Sequence, residues 1–209
     1  DGRDSDTPAS LARSANTGAK LMVTPRFWSS EHAAGFVLIL STAVQFPGLL
    51  MFWIRGGQRG GLPPTPAYYV WERGFILAAI ILAATGFALL EGLLQDTAGR
   101  TLARAGATAY LFAGILGVTA EALNLSRTGP SFYPVIVVYV VLAFLAQAAI
   151  GGGLLQSGLM AAWIGWVTIV WNLAWLVVLP LVSRQDIYFP VLHHVAPLLI
   201  GIALWWKAP

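Results

Sequence analysis

The sequence predicts an all-α polytopic membrane protein in which six transmembrane helices form one antiparallel bundle. Hydrophobic residues make up 57% of the 209 residues and charged residues only 10%, whereas a soluble domain carries about 25% charged residues. The charges also cluster between apolar segments, each close to the roughly 20 residues that a helix needs to cross the hydrocarbon layer. Both observations indicate a chain that crosses a membrane several times.

Composition also limits the kinds of site and partner that the protein can have. The chain has no cysteine, which excludes disulfides, thiolate metal sites, iron–sulfur clusters and cysteine nucleophiles. Its formal net charge of +3 is spread over several loops, so no basic patch suggests a nucleic-acid partner. We expect its partners to be membrane lipids and either other membrane subunits or further copies of the chain.

Residues 1–31 are polar and of mixed charge. They lack the run of roughly 7–15 apolar residues found in a signal peptide, and their composition predicts a flexible or surface-lying arm. Residues 32–207 form the transmembrane domain. We predict a bacterial inner membrane with the N- and C-termini on the same side. A small excess of Lys and Arg favours the inside for both.

The six predicted spans cover residues 32–54, 70–94, 104–125, 132–155, 159–182 and 187–206. Their short connections favour antiparallel neighbours. In the first span, Pro47 predicts a kink, because proline has no N–H to bond the carbonyl four residues back. Before the second span, Thr65 and Pro66 have the pattern of an N-cap followed by a first helical position.

The third span has a regular stripe of small residues. The stripe consists of Ala105, Ala109, Ala113 and Gly117 and ends in Glu121, a spacing of four that places all of them on one helical face. Small residues at this spacing allow a neighbouring backbone to approach closely. We expect the stripe to shelter the last span.

The fourth and fifth spans each carry one amide side chain within an apolar run. The fourth is rich in Val and carries Gln147, and the fifth holds Asn172 near mid-depth together with four tryptophans, at positions 163, 166, 171 and 175. Asn172 is typical of a hydrogen bond between membrane helices. We expect the tryptophans to face lipid or a partner, and a surface for a pigment, quinone or sterol is the alternative.

The last span opens with two adjacent histidines, His193 and His194, between Pro190 and Pro197. Pro197 removes the helical partner of the His193 carbonyl. An unpaired polar group in lipid costs several kcal/mol, so this segment must face protein, water or a ligand. It is the strongest candidate for a site.

Because successive spans cross the membrane in opposite directions, their polar residues fall at two membrane levels. The first level holds the candidates for ligand binding or proton handling, with Asn172 as a floor: Glu72, Arg73, Glu121, Asn124, Tyr188, His193 and His194. The second level holds His32, Glu91, Gln156 and Lys207. For Glu72 and Arg73 we expect a pair at headgroup level. Adjacent helical residues point about 100° apart, so we expect one histidine to face inward and the other a neighbouring helix or the headgroups.

The sequence contains no recognisable catalytic or metal-binding motif. No nucleophile has a positioned base, and neither a His-Glu-x-x-His metal motif nor a phosphate-binding loop is present. We predict no cofactor, because two haem-ligating imidazoles must come from different helices at one depth and His32 lies on the other level. Haem, quinone or pigment held jointly with a partner subunit stays open.

The sequence therefore favours a non-enzymatic subunit or binding module of a membrane complex, contacting partner helices or a lipophilic ligand. One alternative is a small transporter or proton-linked carrier that uses Glu121 and the two histidines, with Pro47 and Pro197 as helix breaks. A second alternative is a membrane enzyme that acts on a lipid or a quinone at the same pocket.

Overall fold

A computed structural model describes residues 28–57, 65–126, 133–182 and 189–207, and these ranges contain helices and no strand. The helices are α1 (Ser30–Gly57), α2 (Pro66–Leu93), α3 (Arg100–Ser126), α4 (Tyr133–Ser157), α5 (Ala162–Val182) and α6 (Val195–Lys207), with a 3₁₀ segment (Pro190–His194) directly before α6. The predicted all-helical fold class is confirmed.

Helices α1 to α5 are long and apolar enough to cross a membrane. The shortest of them, α5, has 21 residues, which at 1.5 Å per residue extend about 32 Å. The hydrocarbon layer is about 30 Å thick. The chain therefore has the lengths and composition of an integral membrane protein.

The last apolar segment differs from the continuous span predicted over 187–206. It starts as the 3₁₀ segment Pro190–His194 and becomes α-helical only at Val195. The two prolines explain the difference, since Pro190 and Pro197 cannot donate the backbone hydrogen bonds of a regular α-helix.

The start of α2 matches the predicted capping pattern. The Thr65 side chain accepts a hydrogen bond from the backbone N–H of Tyr68 at 3.3 Å, and Pro66 is the first helical residue. In α1, the helix continues through Pro47 to Gly57. A Cβ added at Gly48 would lie 3.1 Å from the carbonyl oxygen of Glu72, so α1 and α2 cross closely just after this proline.

Each helix packs on its neighbours in sequence, and α6 returns to α1. Helix α1 lies against α2 and α6, α3 lies between α2 and α4, and α4 lies between α3 and α5. Glycines sit at the close crossings: a Cβ at Gly201 would lie 2.9 Å from the Gly35 carbonyl oxygen, and one at Gly151 2.9 Å from the Gly165 carbonyl oxygen. Backbones therefore touch directly, as is usual in membrane helix packing.

The stripe of small residues on α3 does not shelter the last segment, so that expectation was wrong. Ala105 is exposed, whereas Ala113 and Gly117 are buried on the side of α3 that packs against α2 and α4. A Cβ at Gly117 would lie 3.0 Å from the Tyr139 ring of α4. Helix α4 thus stands between the stripe and the 3₁₀ segment.

Candidate functional site

Buried polar side chains gather inside the bundle, toward the end where α1, α3 and α5 finish. Every described helix except α6 contributes at least one of them, and the 3₁₀ segment contributes two. Apart from Ser41 and Thr168, which bond carbonyls of their own helices, they are Gln45, Glu72, Arg73, Glu121, Gln147, Asn172, His193 and His194. Polar groups inside a membrane bundle are costly and commonly mark a functional site.

Two arginines and two glutamates form a network of ion pairs across α1, α2 and α3. Arg55 donates two hydrogen bonds to Glu72, at 2.9 and 3.0 Å, and Arg73 donates to Glu121 at 2.6 Å. The Nε atom of Arg73 also lies 3.5 Å from Glu72. The four charges cancel, so the network adds no net charge to the interior.

Glu72 and Arg73 are enclosed within the bundle. Glu72 is fully buried and Arg73 is only 7% exposed, because α1 crosses α2 at Gly48 beside Glu72 and α3 supplies Glu121. Burial of an ion in a medium of low dielectric constant is unfavourable unless opposite charges and hydrogen bonds compensate it. The network meets that requirement for both residues.

Side chains from three other helices hold three consecutive carbonyls of the 3₁₀ segment. Trp171 Nε1 donates to the Leu192 carbonyl at 3.0 Å, Gln147 Nε2 to that of His193 at 3.0 Å, and Thr42 Oγ1 to that of His194 at 3.1 Å. The middle carbonyl is the one that loses its helical partner to Pro197. The irregular backbone is therefore bonded within the bundle, as non-helical backbone at membrane depth must be.

The imidazole of His193 lies between two aromatic rings of α4. Its centroid is 4.2 Å from that of Phe144, in a stacked arrangement, and 5.4 Å from that of Tyr139. Neither ring nitrogen of His193 has a hydrogen-bond partner among the described residues, and the same holds for Nδ1 of His194. Both histidines are buried, and neighbouring helices cover both.

Glu121 and Asn172 also keep one acceptor atom each without a partner. Within the described ranges, Oε1 of Glu121 and Oδ1 of Asn172 accept no hydrogen bond, although the Asn172 amide donates to the Thr168 carbonyl at 2.7 Å. No hydrogen bond in these ranges joins Glu121 to either histidine. Tyr139, packed between Gly117 and His193, separates them. Glu121 and the histidines therefore lie on opposite sides of Tyr139 and form no direct pair.

The remaining predicted residues lie elsewhere. Asn124 is half-buried near the end of α3, and Tyr188 lies outside the described residues, as do residues 1–27 of the arm. At the opposite end, His32 packs edge-on to Trp205 with centroids 5.2 Å apart, and Glu91 pairs with Arg104 at 3.2 Å. Gln156 is exposed, and Lys207 donates to the Leu159 carbonyl.

Several residues of the site were not predicted from the sequence, among them Gln147, Arg55 and Tyr139. Gln147 carried a signal, because an amide within a Val-rich span has to find a partner. Arg55 looked like an ordinary loop charge at the end of the first span, and Tyr139 looked like part of the apolar core. Only the packing of α2 beside α1, and of α4 beside the 3₁₀ segment, reveals their positions.

The geometry defines the chemistry that this site can perform. It offers a carboxylate oxygen, an amide oxygen and imidazole nitrogens that are buried and without partners, beside two stacked rings. Buried polar atoms nearly always have a hydrogen-bond partner, so these atoms suit a polar ligand or a proton. The described residues include no group of three or more His, Asp or Glu that could hold a metal ion.

No protein-family model matches the sequence, and comparisons with curated proteins and with solved structures give no match. Over the described residues the fold defines a class: it is all-helical, with five helices that are long and apolar enough to cross a membrane.

Proposed function

We propose that this chain is a six-span antiparallel membrane bundle with both termini on one side. It acts as a non-enzymatic binding module that takes a lipophilic ligand by its polar head group. The sixth crossing consists of the 3₁₀ segment and α6 together. Five residues at about 2.0 Å and thirteen at 1.5 Å extend about 30 Å, which equals the thickness of the hydrocarbon layer.

The observation that carries the proposal is the environment of His193. Its ring is fully buried and stacked on Phe144, and both nitrogens lack a partner in the described part of the chain. An unsatisfied buried polar group costs about 1–3 kcal/mol. A bound ligand removes that cost when its head group makes hydrogen bonds to these nitrogens.

The unpaired atoms also restrict the head group. Oε1 of Glu121 and Oδ1 of Asn172 are acceptors, so a head group that reaches either of them has to carry a hydrogen-bond donor. The imidazole of His193 presents one donor and one acceptor when neutral. Because the ion-pair network is already neutral, a ligand with a net charge would be left uncompensated. An uncharged head group that both donates and accepts fits best.

Native mass spectrometry of the protein extracted in mild detergent tests this proposal. We expect a small molecule to remain bound to the wild type and to be lost from His193→Phe, which keeps a ring for stacking but removes both nitrogens. Glu121→Gln should weaken retention. His32→Phe is the matched control, because it makes the same exchange at the opposite end of the bundle. Equal retention by His193→Phe and the wild type would refute the proposal.

A proton-linked carrier is the second candidate, and the interrupted last segment favours it. Broken helices with irregular backbone at the binding site are typical of secondary transporters. Here the break lies directly at His193 and His194, and Glu121 is a second ionisable group nearby. In liposomes, a carrier would move protons or a solute at a rate that falls in both Glu121→Gln and His193→Phe. If the protein retains a ligand but shows no flux, the carrier is excluded and only the binding module remains.

A further inference from the structure

A groove runs along the outer surface between α2 and α3, and none of its lining residues belongs to the interior polar site. Its larger part has a volume of about 470 Å³ and its smaller part a volume of about 220 Å³. Ala84, Ala88 and Leu111 line both parts, so the two form one continuous channel. It exists because small residues occupy its floor where the two helices separate.

The distance between α3 and α2 at the groove can be judged at Gly114. A Cβ added there would lie 3.6 Å from Ile80 and 3.7 Å from Ala84, which are ordinary van der Waals distances. By contrast, a Cβ at Gly106, which faces α4, would lie 2.7 Å from the Ala146 carbonyl oxygen. Helix α3 therefore packs more closely on α4 than on α2, and the groove lies on the α2 side.

The length of the groove suits one acyl chain. It extends along α3 from Thr119 to Arg104, which is about 22 Å at 1.5 Å per residue. One leaflet contributes about half of a hydrocarbon layer of about 30 Å. The groove is therefore longer than one leaflet is thick, and a single acyl chain from the leaflet at the Arg104 end can lie within it.

The membrane-surface end of the groove carries one charge of each sign. Arg104 bonds Glu91 through Nε at 3.2 Å, and its side chain is 56% exposed while that of Glu91 is 17% exposed. The terminal guanidinium nitrogens and the second carboxylate oxygen of Glu91 lie outside that bond. Arginine binds phosphate groups well, and the free carboxylate oxygen suits an ammonium group.

We infer that the groove between α2 and α3 binds one zwitterionic phospholipid, with its phosphate on Arg104, its primary ammonium on Glu91 and one acyl chain beside Gly114. The complementarity of the ion pair to this head group selects it over an anionic lipid, whose net charge Glu91 would repel. The inference is independent of the interior site, since no residue is common to both.

Native mass spectrometry with two added lipids tests the inference. Delipidated protein is titrated with dioleoyl phosphatidylethanolamine or with dioleoyl phosphatidylglycerol. We expect one phosphatidylethanolamine to bind, and the anionic lipid to bind at least about tenfold more weakly, as for the loss of one charge-assisted hydrogen bond. Equal binding, or a preference for the anionic lipid, would overturn the assignment.

Two variants locate the bound lipid. Gly114→Leu should fill the groove and abolish binding, and Arg104→Gln should weaken it by about tenfold through the lost phosphate contact. Ala174→Leu is the control, because it changes an exposed alanine in a separate groove on α5. Unchanged binding in Arg104→Gln would overturn the inference, and this variant decides the matter if Gly114→Leu fails to fold.

Discussion

Two ion pairs show how burial decides what an ion pair contributes to stability. Arg73 and Glu121 are bonded at 2.6 Å with side chains 8% and 1% exposed, whereas Arg104 and Glu91 are bonded at 3.2 Å with side chains 56% and 17% exposed. Water screens the second pair and barely reaches the first. The chemistry is the same, but only breaking the first pair leaves a charge buried without compensation.

Replacing Glu121 by Ala should lower the free energy of unfolding by about 3–5 kcal/mol, because it leaves the Arg73 guanidinium buried without its partner. The double substitution Arg73→Leu with Glu121→Leu should recover much of that loss, since no charge is then stranded. Glu91→Ala, at the exposed pair, should cost about 0.2–1 kcal/mol. Unfolding by added SDS in mixed micelles measures all three.

Equal losses in Glu121→Ala and Glu91→Ala would contradict this ranking. Such a result would mean that water reaches Arg73 as freely as Arg104, and that the polar network is not enclosed by α1, α2 and α3.

At the scale of elements, the last segment depends on its neighbours for hydrogen bonds that a helix normally makes within itself. Gln147 of α4 bonds the His193 carbonyl, and Trp171 and Thr42 bond the carbonyls on either side. The 3₁₀ segment is thereby fixed to α1, α4 and α5. Any motion of α6 that opened the site would have to break these bonds first.

Gln147→Leu should destabilise the protein by about 1–3 kcal/mol, because it leaves the buried His193 carbonyl unsatisfied. The same change in a Pro197→Ala background should cost less, since residue 197 then has an N–H that can bond this carbonyl. Comparing the thermal unfolding of the four proteins gives the coupling between the two positions. An identical loss in both backgrounds would show that Pro197 is not the reason for the Gln147 bond.

The extent of most helices could be predicted from the sequence, whereas which helices pack against one another could not. Long apolar runs fixed α1 to α5 within a few residues, and Thr65 with Pro66 marked the start of α2. The stripe on α3 correctly signalled a close contact, but spacing alone does not say which helix fills it. The prolines predicted a freed carbonyl at His193, yet the donor, Gln147, could be identified only once α4 was in place.

At the scale of the whole molecule, the two ends of the bundle differ. One end carries the charged network and the histidines. At the other end, His32 and Trp28 pack edge-on to Trp205 at 5.2 and 5.9 Å, and Trp206 is 83% exposed. Tryptophan is enriched at membrane–water interfaces. This aromatic group is therefore expected to mark the membrane surface on the side of the termini.

Single-cysteine labelling tests the topology, and the absence of native cysteine removes any background. In six antiparallel spans, Asp96→Cys and Gln156→Cys lie on one side and Thr65→Cys on the other; all three positions are exposed. A membrane-impermeant maleimide should label the first two from one face and the third from the opposite face. Labelling of all three from one face would contradict the six-span arrangement.

The site itself has the most direct test in a density map of the protein extracted with its native lipids. The binding proposal predicts non-protein density, larger than a water molecule, within hydrogen-bonding distance of the His193 ring nitrogens or of Oε1 of Glu121. If protein groups alone satisfy these atoms and no such density is present, the central claim is contradicted.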